Sequence, residues 1–276
     1  MSSKLIFLHI GRGKTGTTAI QEFCTRNREM LRRAGVRYLE SGDGFPHGPS
    51  GHQSFAKSLL DGIPDWMQAP PDLDAIQGSV REELLNSPDD AFLISSENLT
   101  LVDPTAAKDF FANILPNARF KIIFYARSQD ELAESQYNTN IRWLRVTAAF
   151  SDYLASGGVN ELEYDALLAP WEAAFGRENI LAHVYDVRGR SVIDDFLSCL
   201  QLTGPAPQGL CTRGEAATAN ESIGFRFLEV FRFLNSYDLA DRPKLYASIH
   251  ELLGRHDTPC VIFLGSGSDT FPAAIS

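Results

Sequence analysis

The chain alternates short, nearly unbroken apolar runs with longer stretches of helical spacing. Lys4 to Ile10 (KLIFLHI) is one such run, the pattern of a parallel strand covered on both faces. From Thr17 to about Ala34 the apolar residues Ile20, Phe23, Cys24, Met30, Leu31 and Ala34 recur at helical spacing, with Arg26, Arg28, Arg32 and Arg33 mostly between them. Gly35 ends this amphipathic helix, and Val36 to Leu39 reads as a second strand. A loop rich in Gly, Pro and Ser over 41–51 is followed by helical patterns at 52–61 and 72–86. Further strands are predicted at Ala91–Ser95, Phe120–Ala126 and Ile180–Tyr185, with a helix near 104–114. Helical patterns at 129–144, 148–156, 163–175, 191–201, 219–236 and 243–253 make the second half mostly α. Strands alternating with helices predict an α/β fold, a three-layer sandwich around a central parallel sheet, with ligands at the strand C-terminal ends. Without repeats or a linker the chain reads as one domain, 1–276, with an α/β core over 1–202 and a loop and C-terminal helices over 203–276.

Composition narrows the function classes. The 276 residues carry a net charge of −10, which excludes the overall electrostatics of a duplex-binding protein and makes any anion site local. Apolar residues at 44% and charged residues at 22% fit a globular protein large enough to build a core without staples. The run Leu5 to Leu8 is too short for a signal peptide, and no window approaches a membrane span. Cys24, Cys199, Cys211 and Cys260 are far apart, and no two histidines are spaced i,i+4. The spacing therefore predicts no disulfide framework, no metal and a reducing, cytoplasmic setting.

The chemistry gathers where the first strand ends. Gly11-Arg12-Gly13-Lys14-Thr15-Gly16-Thr17-Thr18 lies between a predicted strand and a predicted helix, where backbone N–H groups and the helix dipole favour an anion. It is not a Walker A loop, because Lys14 precedes Gly16. It also matches Gly-x-Gly-x-x-Gly, and Glu40 after the second strand stands where a ribose-binding acid would sit, so an NAD(P)-linked oxidoreductase is an alternative. A purely structural turn, with Thr18 and Gln21 as a capping box, is another.

The segment His9 to Thr18, followed by Ala-Ile-Gln21, resembles the 5′-phosphosulfate loop of sulfotransferases that use 3′-phosphoadenosine-5′-phosphosulfate (PAPS), in particular bacterial members related to carbohydrate sulfotransferases. The resemblance implies that Arg12, Gly13, Lys14, Thr15, Gly16, Thr17 and Thr18 hold the 5′ end of the donor, with Lys14 at the leaving oxygen. Lys121-Ile-Ile-Phe-Tyr-Ala-Arg127, running on to Ser135, is similar to the family's 3′-phosphate site and implies that Arg127 and Ser135 bind that phosphate. Arg127 could instead pair with a surface carboxylate, and Ser128 with Glu131 could cap a helix. Tyr164 to Tyr185 resembles the family's helix–Trp–Phe-Gly–strand segment, implying Tyr185 beside the adenine; Arg213-Gly214 falls where a basic loop closes over the 3′ phosphate.

Sulfuryl transfer to an alcohol needs a base opposite the leaving nucleotide. Glu97, in Leu93-Ile-Ser-Ser-Glu97-Asn, stands where many family members carry a catalytic His and glycan-modifying members often use Glu; His52 is the rival. The implied activity is PAPS-dependent transfer to a hydroxyl of a glycan or glycosylated metabolite, releasing 3′,5′-ADP (PAP), without metal or nucleic acid. A non-catalytic nucleotide-binding protein is the alternative from another class.

Overall fold

The computed structural model describes residues 3–42, 51–65, 67, 72–157, 163–186, 191–202, 225–237 and 245. In chain order they form β1 (Leu5–His9), α1 (Thr17–Arg26), α2 (Arg28–Arg33), β2 (Arg37–Tyr38), α3 (Gln53–Ser58), α4 (Leu73–Asn86) and β3 (Ala91–Ser95). A 3₁₀ turn (Glu97–Leu101), α5 (Pro104–Ala112), β4 (Arg119–Ala126), α6 (Gln129–Leu144) and α7 (Phe150–Ala155) follow. The described order closes with α8 (Tyr164–Phe175), β5 (Ile180–Val184), α9 (Val192–Cys199) and α10 (Phe225–Asn235). The chain divides into two compact units, 1–132 with 160–219 and 133–159 with 220–276.

The first unit holds a five-stranded sheet of order β2-β3-β1-β4-β5, and every strand pair is parallel. Side-chain alternation along β1 explains its nearly continuous apolar sequence. Ile6 and Leu8 pack with Phe92, Ile94, Ile122 and Phe124 against α3, α4, α5 and α8, whereas Phe7 packs with Leu93, Ile123 and Tyr125 against α1, α2 and α9. Two cores, one on each face, make the predicted three-layer α/β arrangement. In the second unit Tyr137, Ile141, Tyr153, Leu228 and Phe231 form a separate cluster, and Asn235 Nδ2 donates to the carbonyls of Ile141 and Val146.

The single helix expected over 17–34 is broken at Asn27, which leaves helical geometry at φ −116° while its backbone N–H and its side-chain amide both donate to Phe23 O, at 3.0 and 2.8 Å. The second strand is only two residues long. Past it the backbone is gathered by Glu83, whose carboxylate accepts from Arg37 Nε at 2.7 Å, Ser41 N at 2.8 Å, Ser41 Oγ at 2.7 Å and Glu40 N at 3.0 Å. The pattern expected over 243–253 lies outside the described residues apart from Leu245, as does 219–224 of the helix observed at 225–235.

Burial alone would push the Glu83 carboxyl up, but the bonds from Ser41, Arg37 and Glu40 hold it below the usual carboxylate range. A depressed native pKa stabilises the fold above the unfolded value and is lost as pH falls through the native one. Glu83→Gln is expected to cost about 2 kcal/mol in urea unfolding at pH 7. The difference between variant and parent should shrink as the measurement moves below about pH 4.

Candidate functional site

Three neighbouring strands end at one edge of the sheet, and each delivers a sequence-predicted residue there. His9 pairs in register with Ser95 of β3 and Ile123 of β4. Glu97 follows β3 two residues past that level, and Arg127 follows β4 immediately after Ala126. The loop after β1 is thus flanked by segments 80 to 115 residues away in the chain.

The loop is closed by its own side chains. Thr15 Oγ1 donates to Arg12 O at 2.6 Å and Thr17 Oγ1 to the same carbonyl at 3.0 Å. Lys14 adopts φ 71° and Gly16 φ 80°, both left-handed. Gly16 is the N-cap of α1 with no side-chain cap, so the capping box of Thr18 and Gln21 does not form. Gln21 turns inward instead, its amide 3.3 Å from Ser95 Oγ. Thr18 is half-buried in the first turn of α1, and Gly13 has open space where a Cβ would stand. Arg12 is buried with its guanidinium 5.8 Å from the centre of the Tyr164 ring.

Arg127 joins the loop directly: its Nη1 donates to Lys14 O at 3.1 Å, and its Nε pairs with Glu131 at 3.2 Å. The expected carboxylate pairing and the contact with the first loop therefore coexist. Tyr185 N donates to Ala126 O, and its ring lies 5.7 Å from the Arg127 guanidinium and covers Gly16, where a Cβ would meet Cε2 at 2.8 Å. Ser135 lies on α6 within the second unit, and Arg213 and Gly214 lie outside the described residues.

Glu97 opens the 3₁₀ turn capped by Ser96, whose hydroxyl accepts from Asn98 N and donates to Gln53 Oε1 at 2.6 Å. Burial pushes the Glu97 carboxyl above the usual range, and the charge of Lys14 pulls it partway back. The two candidate catalytic groups therefore feel one another. His52 is differently placed. It is fully buried, Ser95 N donates to its Nδ1 at 3.1 Å, and its Nε2 lies 3.0 Å from Leu39 O as a donor. Burial lowers its pKa to about 4, and both ring nitrogens are committed to backbone. His9 is likewise neutral, with burial lowering its pKa to about 3; Nδ1 shares a 2.8 Å hydrogen bond with Ser95 Oγ, and the ring backs Gly11.

Sequence reasoning passed over two residues that hold this arrangement. Tyr164 Oη donates to Arg127 O at 2.7 Å and accepts from Arg127 N at 3.2 Å, fixing the strand end. Ser95 ties His9, His52 and Gln21 together. Their only signal was a position inside quoted motifs.

Glu40 does not support a dinucleotide site. In that fold the second strand lies beside the first, whereas here β3 separates β2 from β1, a lateral distance of about 10 Å at the usual strand spacing. Glu40 is exposed and pairs with Arg37 at 3.6 Å.

No protein-family description and no curated protein matches the chain. Solved structures do. A sulfotransferase from Alicyclobacillus acidocaldarius is similar at 16% identity, covering 88% of this chain and 100% of that one with a TM-score of 0.49. Mouse sulfotransferase SULT7A1 complexed with PAP is similar at 16% identity over 93% of this chain and 86% of its own, with a TM-score of 0.39. A retinol dehydratase in complex with androsterone and the inactive cofactor PAP is similar at 19% identity over 66% and 55% of the two chains, with a TM-score of 0.29.

The loop glycines give a direct test of the local packing. A Cβ at Gly11 would lie 2.5 Å from Thr17 Oγ1 and 2.9 Å from the His9 ring, whereas one at Gly13 meets nothing within 4 Å. Gly11→Ala is expected to lower stability by about 1–3 kcal/mol in chemical denaturation. Gly13→Ala should stay within about 0.5 kcal/mol of the parent.

Proposed function

We propose that the protein is a sulfotransferase that uses PAPS as donor and a hydroxyl group as acceptor. The single observation that carries the reading is the hydrogen bond from Arg127 to Lys14 O, which puts the second anion-binding motif of the sequence against the first. The local chemistry fits the donor: a left-handed turn leading into a helix N-terminus, Lys14 on it, Arg127 beside it, and an aromatic ring, Tyr185, over the turn.

Bound PAPS supplies an activated sulfuryl group, whose transfer to an alcohol leaves 3′,5′-ADP. The loop from Arg12 to Thr18 holds the 5′ end through backbone N–H groups and the Thr18 hydroxyl. Thr15 and Thr17 act indirectly, spending their hydroxyls on Arg12 O and so fixing the turn. Lys14 holds positive charge against the leaving oxygen. Arg127 provides the forked, permanently charged donor suited to a 3′ phosphate, and Tyr185 a face for the adenine. Arg213 and Gly214 are retained from the sequence resemblance for the 3′ phosphate, and Ser135 is a candidate for its own substitution.

Glu97 takes the acceptor proton. Its raised pKa makes it a stronger base than an ordinary surface carboxylate. His52 is assigned to scaffolding, since accepting a proton at Nδ1 would break its bond from Ser95 N. A Glu base, as in the glycan-modifying members of the resembled family, supports a glycan or glycosylated metabolite as acceptor.

Calorimetric titration separates this reading from its rivals. 3′,5′-ADP should bind at least tenfold more tightly than 5′-AMP, and Arg127→Ala should remove most of that preference, as loss of a charge-assisted bond worth about 1.5–3 kcal/mol requires. Equal affinities, or tighter binding of NAD(P), would overturn the proposal.

Turnover with PAPS over a panel of hydroxyl acceptors tests the chemical step. Lys14→Ala should lower kcat by on the order of a hundredfold. Glu97→Gln should lower it by about 10²- to 10⁴-fold while leaving 3′,5′-ADP affinity unchanged. Because the base works ionised and its pKa is raised, parent activity should fall on acidification with a midpoint above the ordinary Glu value of about 4.3. Full activity of both variants would remove these roles.

A further inference from the structure

A second polar cluster lies in the sheet–helix interface on the face occupied by α9. Leu181 and His183 of β5 and Tyr185 just past its end lie toward that face, and Tyr125 stands in register beside His183 on β4. Asp195 and Cys199, one turn apart on α9, meet them there. His183 Nδ1 is 2.8 Å from Asp195 Oδ2, and Cys199 Sγ is 3.4 Å from His183 Nε2. One donor atom from each of the three residues lies within 4.8 Å of the other two. Among the described residues no other group of His, Cys, Asp and Glu has this arrangement.

We propose that His183, Asp195 and Cys199 form a binding site for a divalent transition-metal ion of the zinc type. The donor set is imidazole nitrogen, carboxylate oxygen and thiolate sulfur, which zinc accepts together and which the harder ions calcium and magnesium do not. Bond lengths of about 2.0–2.3 Å place tetrahedral ligand atoms roughly 3.3–3.6 Å apart, so from donor atoms within 4.8 Å the sphere closes when His183 gives one ring nitrogen to the ion and Asp195 or Cys199 exchanges its contact with the other nitrogen for the ion. Charge also balances: carboxylate and thiolate neutralise a divalent ion, which suits partial burial, with Cys199 at 5% exposure and the His183 and Asp195 side chains at 31% and 25%.

The surroundings supply what a three-ligand site needs. Tyr125 Oη donates to Asp195 Oδ2 at 2.8 Å, an outer hydrogen bond that orients a ligating carboxylate. A cleft of about 220 Å3 opens beside Asp195, lined also by Tyr125, Val184, Tyr185, Asp186 and Val192, and gives a route for the ion and for a water as fourth ligand. The expectation of no metal came from linear spacing. It misses this site because one ligand is on a strand and two are on a helix, so only the packing of β5 under α9 joins them. None of the three ligands belongs to the loop, Arg127 or Glu97, although Tyr185, proposed above to face the adenine, also lines the cleft.

Cobalt(II) titration of the full chain under reducing conditions provides the test. One equivalent should bind and produce a thiolate-to-cobalt charge-transfer band together with the intense visible bands of tetrahedral cobalt, and zinc(II) should displace them. Cys199→Ser should abolish the charge-transfer band, and His183→Gln and Asp195→Asn should each weaken binding by at least tenfold. Tyr125→Phe should weaken it by roughly ten- to a hundredfold while leaving the visible bands in place. Circular dichroism of each variant identifies any that fails to fold, in which case the remaining substitutions decide. Absence of a charge-transfer band, or its persistence in Cys199→Ser, overturns the proposal and leaves the cluster as a hydrogen-bonded relay.

Discussion

Everything at the proposed site depends on β1 being paired on both sides by parallel strands. Ile10 N donates to Ile123 O at 3.0 Å and Ser96 N to His9 O at 3.1 Å, so the end of β1 is fixed between β4 and β3. Parallel strands all finish at the same edge, and neighbours lie about 4.8 Å apart. A residue just past each end is therefore delivered to the same place however distant it is in sequence. Glu97 and Arg127 reach the loop this way, and Glu40 does not, because β2 is one strand too far from β1.

Beneath that edge the sheet carries polar groups where apolar ones would have been simpler. His9, Ser95, His52 and Gln21 are all buried, and leaving any of them unpaired would cost about 1–3 kcal/mol. They are paired with one another and with Leu39 O, and both imidazoles stay neutral. A hydrogen-bonded network of this kind, in which His9 Nε2 alone is left without a partner, constrains rotamers more tightly than methyl groups do, because each bond fixes a direction as well as a distance. Its members back Gly11 and hold the end of β3 from which Glu97 follows. The network thus positions the two catalytic candidates without touching a ligand.

Much of this was legible in the sequence because the period of the hydrophobic pattern is set by strand and helix geometry. The runs Lys4–Ile10 and Phe120–Ala126 read as buried parallel strands, and the strands found at Leu5–His9 and Arg119–Ala126 each contribute to both cores. The break at Asn27 was not legible, since a change of backbone angles at one residue leaves the helical apolar spacing intact on both sides. The burial of His52 was not legible for a related reason. A histidine following a Gly/Pro/Ser-rich loop has the composition of an exposed residue, and only tertiary structure reveals Leu39 O and Ser95 N waiting for its two nitrogens. Tyr164 and Ser95 were hidden by the same limit, because their partners are backbone groups 37 residues away and side chains from three other elements.

The loop itself shows why local rules fail where a site is built. Lys14 at φ 71° pays roughly 1–2 kcal/mol that a glycine would avoid. A sequence selected for stability alone would place glycine there and lysine elsewhere. The strained turn persists because Thr15 and Thr17 both bind Arg12 O and Arg127 binds Lys14 O, so relaxing φ at Lys14 would disturb a carbonyl held from another strand. Strain maintained by three hydrogen bonds at a charged residue fixes the direction in which its Cα–Cβ bond leaves the backbone. A freely rotating surface lysine would have to lose that freedom on meeting an anion; here the backbone part of the loss is incurred during folding, before any ligand arrives.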